Sequence, residues 1–247
     1  MNFLDVFHES AEFKKYKLSL ESTPVSVAGV VESALAHFIY CSFGKKRKLV
    51  VMSSEDEAKN LYSDMKFFCD NVLYFPQREF VYYNIDALAH FNEHKRIDCL
   101  AALFDKNSEI MVITTLEALL SPTIPPELLK SEQILIKQGE RYDVQKLSKK
   151  LVELGYTRDD VCEGCGQFSL RGGILDIYSP ANDFPYRIEF FDDEVDSVRI
   201  YDYVSQRTLE MTDSACILPC REIIFNEENR LEISNKIDDK LSKVNKK

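Results

Sequence analysis

In the first half of the chain, short apolar runs alternate with longer stretches whose apolar residues recur at helical spacing. The runs are Val25 to Val31, Lys48 to Ser53, Val72 to Phe75 and Ile110 to Thr114; between them lie Glu32 to Phe43, Glu55 to Cys69 and His90 to Phe104. Short β-branched runs suit strands buried between layers, and apolar residues three and four apart suit the helices that cover them. Ser54 is placed to cap the second helix, because a serine hydroxyl there can accept from the first free backbone N–H groups. The pattern predicts a strand-helix alternation and a doubly wound lobe around a parallel sheet.

Ser121-Pro122-Thr123-Ile124-Pro125-Pro126 ends that pattern, since closely spaced prolines continue neither a helix nor a central strand. Beyond it the spacing predicts a strand at Gln133 to Lys137 and an amphipathic helix at Asp143 to Leu154. Four more strands follow, at Gln167 to Arg171, Ile174 to Tyr178, Tyr186 to Phe191 and Val195 to Tyr201. Turn residues Gly172-Gly173, Pro180 to Phe184 and Asp192-Asp193 separate them, so a small α+β domain with a curled antiparallel sheet is expected. After the apolar run Ala215 to Pro219 and the segment Arg221 to Phe225, a Lys/Asn/Asp-rich tail, Ser234 to Lys247, reads as a helix awaiting a further element or as the end of a fragment. The expected division is 1–121 for the α/β lobe, 122–212 for the α+β domain, and 213–247 for a segment returning to the first lobe.

Composition narrows the class. With 45% hydrophobic and 29% charged residues the chain sits in the globular range. No apolar run is long enough to cross a bilayer and the N-terminus does not read as a signal peptide, so a cytoplasmic protein is expected. Seven scattered cysteines suit reduced thiols better than a disulfide framework. A net charge of −10, spread without an obvious basic face, disfavours unassisted nucleic-acid binding.

The candidate chemistry is mostly negative. The loop before the first helix is where a phosphate-binding GxxxxGK[ST] would sit, yet from Gly29 the Gly, Lys and Ser/Thr positions hold Ala34, Leu35 and Ala36, with Glu32 adding negative charge. No nucleotide cofactor and no ATP hydrolysis are expected there. Cys162-x-x-Cys165 with Cys216-x-x-x-Cys220 reads as ordinary reduced cysteines, and no metal is expected. His90 and His94 with Glu93 do not make the HExxH arrangement and read as a solvated helix face. The acids Asp192, Asp193, Glu194 and Asp196 read as a solvated hairpin turn. No nucleophilic triad can be assembled. What remains is Arg158 and Arg171 in a region holding five of the eight glycines: Gly155, Gly164, Gly166, Gly172 and Gly173. Strand positions with two arginines and few bulky groups suit a protein partner that offers carboxylates.

The segments FPQREFVYYN (Phe75 to Asn84), His90 to Arg96, GQFSLRGGILDIYSP, PYRIEFFDDEVDSVRIYD and SQRTLE resemble the N-terminal module of the bacterial transcription-repair coupling factor family, Mfd. The resemblance runs from about Pro24 to Phe225 and is most specific over Tyr156 to Glu210. That module is similar to the first domains of UvrB: domain 1A, an inserted domain 2, and domain 1B. The resemblance implies that domain 2 binds UvrA, the damage-recognition ATPase. Set against the UvrB pattern R-N-D…R-G-T-F-R-V-R-G, its arginines fall on Arg158 and Arg171, while two further basic positions fall on Cys165 and Ser169. The docking face so implied comprises Arg158, Arg171, Ser169, Gly172, Gly173, Ile174 and Tyr178, less basic than in UvrB. The full-length proteins it resembles are ATP-dependent DNA translocases. By the same resemblance this chain is a non-catalytic adaptor, masked in the full protein by other domains, with RNA polymerase and DNA met through regions absent here. The rival expectation is a UvrB-type fragment that handles nucleotide or DNA.

Overall fold

The computed structural model describes residues 6–21, 24–43, 46–78, 86–105, 109–224 and 227–244. Residues 79–84 of the Phe75 to Asn84 motif, Phe225 and the last three residues of the tail lie outside that set. Two compact units emerge, one from Met1–Phe80 with Ala102–Pro122, the other from Val81–Ala101 with Thr123–Lys247. Both parallel and antiparallel sheets are present, so the class is mixed α/β.

In the first unit, helices α1 (Val6–Glu9), α2 (Ala11–Ser19), α3 (Glu32–Phe43) and α4 (Glu55–Met65) accompany strands β1 (Lys48–Met52), β2 (Val72–Phe75) and β3 (Met111–Thr115). The strands are parallel in the order β1-β3-β2. Alternation sends Met111 and Ile113 to one face, where Ala36 and Ile39 of α3 and Ala58, Leu61 and Met65 of α4 bury them. On β1, Leu49 and Val51 point the other way and are exposed. Ser54 caps α4 as expected, its Oγ accepting from Glu57 N at 3.3 Å.

The expected strand at Val25 to Val31 does not form. Pro24 lacks a donor and Gly29 takes a φ of 82°, a left-handed value that breaks an extended path. The run is apolar for another reason: with Phe7, Phe13, Tyr16 and Phe38 it lines a cavity of about 650 Å³. The apolar signal is real, but it belongs to a loop over an aromatic cluster in which the Phe13 and Phe38 rings lie 5.8 Å apart. Helix α4 also stops at Met65, short of Cys69, the chain turning at residues 66–68.

Helix α5 (Asp86–Ala102) contributes nearly all its length to the second unit, and α6 (Leu116–Leu120) closes the first, capped by Thr115. The second unit continues with α7 (Pro126–Ser131), β4 (Ile134–Lys137) and α8 (Val144–Glu153). Next come β5 (Thr157–Arg158), β6 (Gln167–Arg171), β7 (Ile174–Ile177), β8 (Tyr186–Phe191), β9 (Glu194–Tyr201), β10 (Thr208–Thr212), β11 (Ser214–Ile217) and α9 (Glu227–Val244). Six strands form one sheet, β10-β9-β8-β7-β6-β5, and β11 pairs with β4 separately. The large sheet is antiparallel from β6 to β10, as expected for β6 to β9, and at its end β5, a strand outside that expectation, runs parallel to β6. Parallel pairing arises because residues 159–166 return the chain to the start of β6 instead of reversing it in a tight hairpin.

Helix α8 is capped by Asp143, whose carboxylate accepts from Gln145 N and Lys146 N at 3.1 Å, and it buries Leu147 and Leu151. Gly155 ends it at a φ of 92°, while Gly155 N and Tyr156 N bond back to Val152 O and Leu151 O. A β-carbon at Gly155 would lie 2.3 Å from Cγ of Arg221, so this glycine also admits the C-terminal segment. Among the bonds that hold that segment are Tyr156 OH to Leu218 O at 2.7 Å, Cys220 N to Leu154 O at 2.8 Å, and Glu222 N to Glu93 Oε1 at 2.8 Å.

Beneath them Arg96 and Glu222 form an ion pair at 2.6 Å with side chains 0% and 2% exposed. A buried pair adds little over apolar residues, but removing one member leaves a buried charge uncompensated. Glu222→Ala is therefore expected to destabilise the chain by about 3–5 kcal/mol in urea unfolding. A loss below about 1 kcal/mol would show that Arg96 is equally well served without it.

Candidate protein-docking face

Strand register sorts the side chains of the large sheet into two faces. Leu170, Leu175, Ile188 and Val198 are cross-strand partners in one row, and Phe168, Ile177, Tyr186 and Ile200 in the next. Partners directly opposite share a face, so this one is the apolar side. The alternate positions form a polar face: Ser169, Asp176, Arg187 and Arg199 in one row, Arg171, Ile174, Glu189 and Ser197 in the next.

Asp176 is the centre of the polar face. It is 1% exposed and takes two bonds from Arg187, Nε to Oδ1 at 2.6 Å and Nη2 to Oδ2 at 2.8 Å. A third comes from Arg171, Nη2 to Oδ2 at 3.1 Å. A buried carboxylate needs partners of this kind, because desolvation otherwise costs more than folding can absorb. Arg187 is further held within the chain, since its Nη2 also donates to Gln206 Oε1 at 2.8 Å and its guanidinium lies 4.2 Å over the Tyr201 ring. Hydrogen bonding to Asp176 holds Arg187 more firmly charged than usual. Arg199 is matched by Glu189, which also accepts from Ser197 Oγ. Arg171 differs: its side chain is 52% exposed, and among the described residues its guanidinium bonds to Asp176 alone.

The residues expected at the docking face are distributed unevenly. Arg158 is exposed and makes no hydrogen bond or ion pair among the described residues. Its register partner is Phe168, which places it on the alternate face to Ser169 and Arg171 at the sheet edge. Ser169 is 1% exposed, and its Oγ has no partner among the described residues. Ile174 is at the exposed margin beside Arg171. Tyr178 is half-buried, donates to Asp183 O and has its ring 5.8 Å from that of Tyr203.

The glycines have internal explanations. A β-carbon at Gly173 would meet Phe190 O at 2.6 Å, and one at Gly166 would meet the His94 ring at 2.9 Å. Gly172, with a φ of 60°, faces open space at the β6–β7 turn. In the first unit, Ala34, Leu35 and Ala36 lie within α3, with Leu35 packed against the core and Ala36 3% exposed.

The histidine helix face is only partly solvated, which corrects the expectation for His90 and His94. His90 contacts Arg221, which also reaches Glu93 at 3.3 Å, while His94 rests on Gly166 above a cavity of about 590 Å³. Burial pushes the Cys162 and Cys165 thiols up to about 12, keeping them protonated and unreactive. Among the described residues no group of three or more His, Cys, Asp or Glu is arranged to hold a metal ion, and no helix is long and apolar enough to cross a membrane.

Asp176 and Arg187, the residues that organise this face, are not among those the sequence marks out. Their signal is present as polar positions alternating with apolar ones in β7 and β8, but which polar residues meet depends on register between strands.

Residues 134–222, which span this sheet and the strand pair beside it, match the family described as UvrB interaction domain. The match falls within the second unit. Over most of its length the chain is also similar to transcription-repair-coupling factors: 32% identical over 226 residues to that of Bacillus subtilis (strain 168), covering 90% of this chain and 19% of the relative. The factor of Myxococcus xanthus is 28% identical over 216 residues, covering 83% and 18%, and that of Staphylococcus haemolyticus (strain JCSC1435) 32% over 208 residues, covering 83% and 18%. The chain thus spans about a fifth of the length of the curated relatives it matches.

Two titrating groups on α5 give the second unit a defined pH response. Burial lowers His94 from 6.5 to about 4, so the unfolded chain binds more protons between those values and His94's contribution to stability is lost as pH falls below about 6.5. Asp98 runs the other way: burial, then the Asp183 charge, raises it from 3.8 to about 6, so the stability it contributes when neutral is lost as pH rises toward 6. His94→Gln removes the first response and leaves the second. Between pH 6.5 and 4.5 the melting temperature of the variant should fall less than that of the unaltered chain, and parallel curves would refute the assignment.

Proposed function

We propose that this chain is a non-catalytic adaptor module of a transcription-coupled DNA repair factor, and that it recruits UvrA through the edge and polar face of the large sheet. One observation carries this reading: Arg171 is a half-exposed guanidinium with spare donors on a face whose other arginines are matched by acids. Arg158 adds a second exposed guanidinium at the same edge. In a chain of net charge −10, such exposed positive groups favour a partner presenting carboxylates. Since Arg158 and Arg171 alternate faces, the partner on this reading wraps the β5–β6 edge and reaches both. Ile174 supplies apolar rim.

In a protein of the relatives' length, the same face would be masked by other domains until a motor domain engages stalled RNA polymerase, and DNA would be met through regions outside these residues. The segment from Gly29 to Ala36, which runs into the first turns of α3, is read as a degenerate nucleotide-binding motif, because a phosphate at the start of α3 would meet Glu32 and find no lysine. Saturating Mg-ATP should leave the melting temperature of the chain unchanged; an upward shift would revive a nucleotide-handling role.

Titrating purified UvrA against the chain tests recruitment. Arg158→Ala and Arg171→Ala should each weaken binding about tenfold or more, as expected for a lost charge-assisted hydrogen bond, and Arg158→Ala should leave the melting temperature within about 2 °C. Alanine is the informative change at position 171, because a glutamate there would stand beside buried Asp176 and disturb folding as well. Unchanged affinity in both variants would end the site assignment.

A further inference from the structure

We propose that Asp176 and Arg187 are positioning residues that hold Arg171 in a fixed, outward-facing geometry, so that it meets a partner carboxylate as a planar fork and not as a mobile point charge. The proposal rests on the reading of Arg171 as a docking residue.

Asp176 is buried, and among the described residues its carboxylate accepts only from Arg187 and Arg171. The directly opposite Ser169 does not help, since its buried Oγ has no partner among those residues. One negative charge is therefore shared by two guanidinium groups, and the cluster keeps an excess of one positive charge.

The two arginines divide the work unequally. Arg187 has a side chain 15% exposed, grips both carboxylate oxygens, and is further fixed by Gln206 and the Tyr201 ring. Its bonds already meet the electrostatic need of Asp176. Arg171 gives Asp176 a single bond from Nη2, and its remaining N–H groups are uncommitted among the described residues. An arginine tethered at one nitrogen loses little further rotamer freedom when its other edge binds, which is how a fixed guanidinium gains over a free one. The excess charge selects an acidic ligand, and the free edge of a planar fork selects a carboxylate it can meet with two parallel bonds.

The test is a double-mutant cycle on the full 247-residue chain titrated with UvrA. Asp176→Asn should weaken binding about five- to tenfold in the unaltered background and less than about twofold when Arg171 is already alanine. Equal factors in both backgrounds would overturn the proposal, because Asp176 would then act through something other than Arg171. Arg171→Lys leaves Asp176 and Arg187 untouched and should bind UvrA within about twofold of Arg171→Ala. Binding at the unaltered level would show that a point charge suffices and would refute the fork.

A readout without UvrA separates this proposal from the docking reading. In nitrogen-15 spectra of the free chain, rotation of the Arg171 guanidinium about Cζ–Nη should be slow and should become fast in Asp176→Asn; equal rates would overturn the positioning claim. Release in Asp176→Asn together with full UvrA affinity in Arg171→Ala would instead leave positioning intact and remove the docking reading.

Discussion

A carboxylate buried within the polar face of a sheet must be matched, and in this chain Asp176 organises everything around it. Its need for donors fixes Arg187 against Tyr201 and Gln206, tethers Arg171 at the sheet margin, and so decides which positive group on that face remains open to a partner. The opposite face supplies the apolar side on which the strands register. One property of strands, alternation, thus separates core from candidate docking surface within the same short segments.

A second constraint anchors that sheet within its unit. Helix α5 precedes β4 by some thirty residues, yet it is joined to the segment after β11 by the buried pair Arg96 and Glu222 and by Glu93 bonding to the Glu222 amide. Gly155 and Gly166 leave the space into which Arg221 and His94 fit. The glycine-rich character of this region therefore serves internal closure, and the open position is Gly172 at the β6–β7 turn. Sites that admit a neighbouring side chain and sites that admit a partner use the same residue type, which is why composition alone does not separate them.

Elements with local signals are legible from the chain itself. Ser54 and Asp143 cap the helices their neighbours announce, and β1 to β4 and β6 to β9 fall on the apolar runs that mark them. The run Val25 to Val31 misleads because an apolar stretch lining an aromatic cavity has the same letters as a buried strand, and only Gly29 hints at the difference. Strand β10 carries no such signal because its five residues are mostly exposed. Arg158 and Arg171 can be named from the sequence, but the partnership of Asp176 with Arg187, residues eleven apart in sequence, becomes visible only once β7 and β8 are in register.

The proposed recruitment and the proposed positioning both come down to Arg171 as a fixed guanidinium offered from the polar face of the sheet that matches the UvrB interaction domain family. The structure of this chain bound to UvrA would decide the matter. A UvrA carboxylate is expected within hydrogen-bonding distance of the outer edge of Arg171, with the bond from Arg171 Nη2 to Asp176 retained. An interface that leaves β6 and β7 in solvent, or one in which Arg171 swings away from Asp176 to reach its partner, would contradict it.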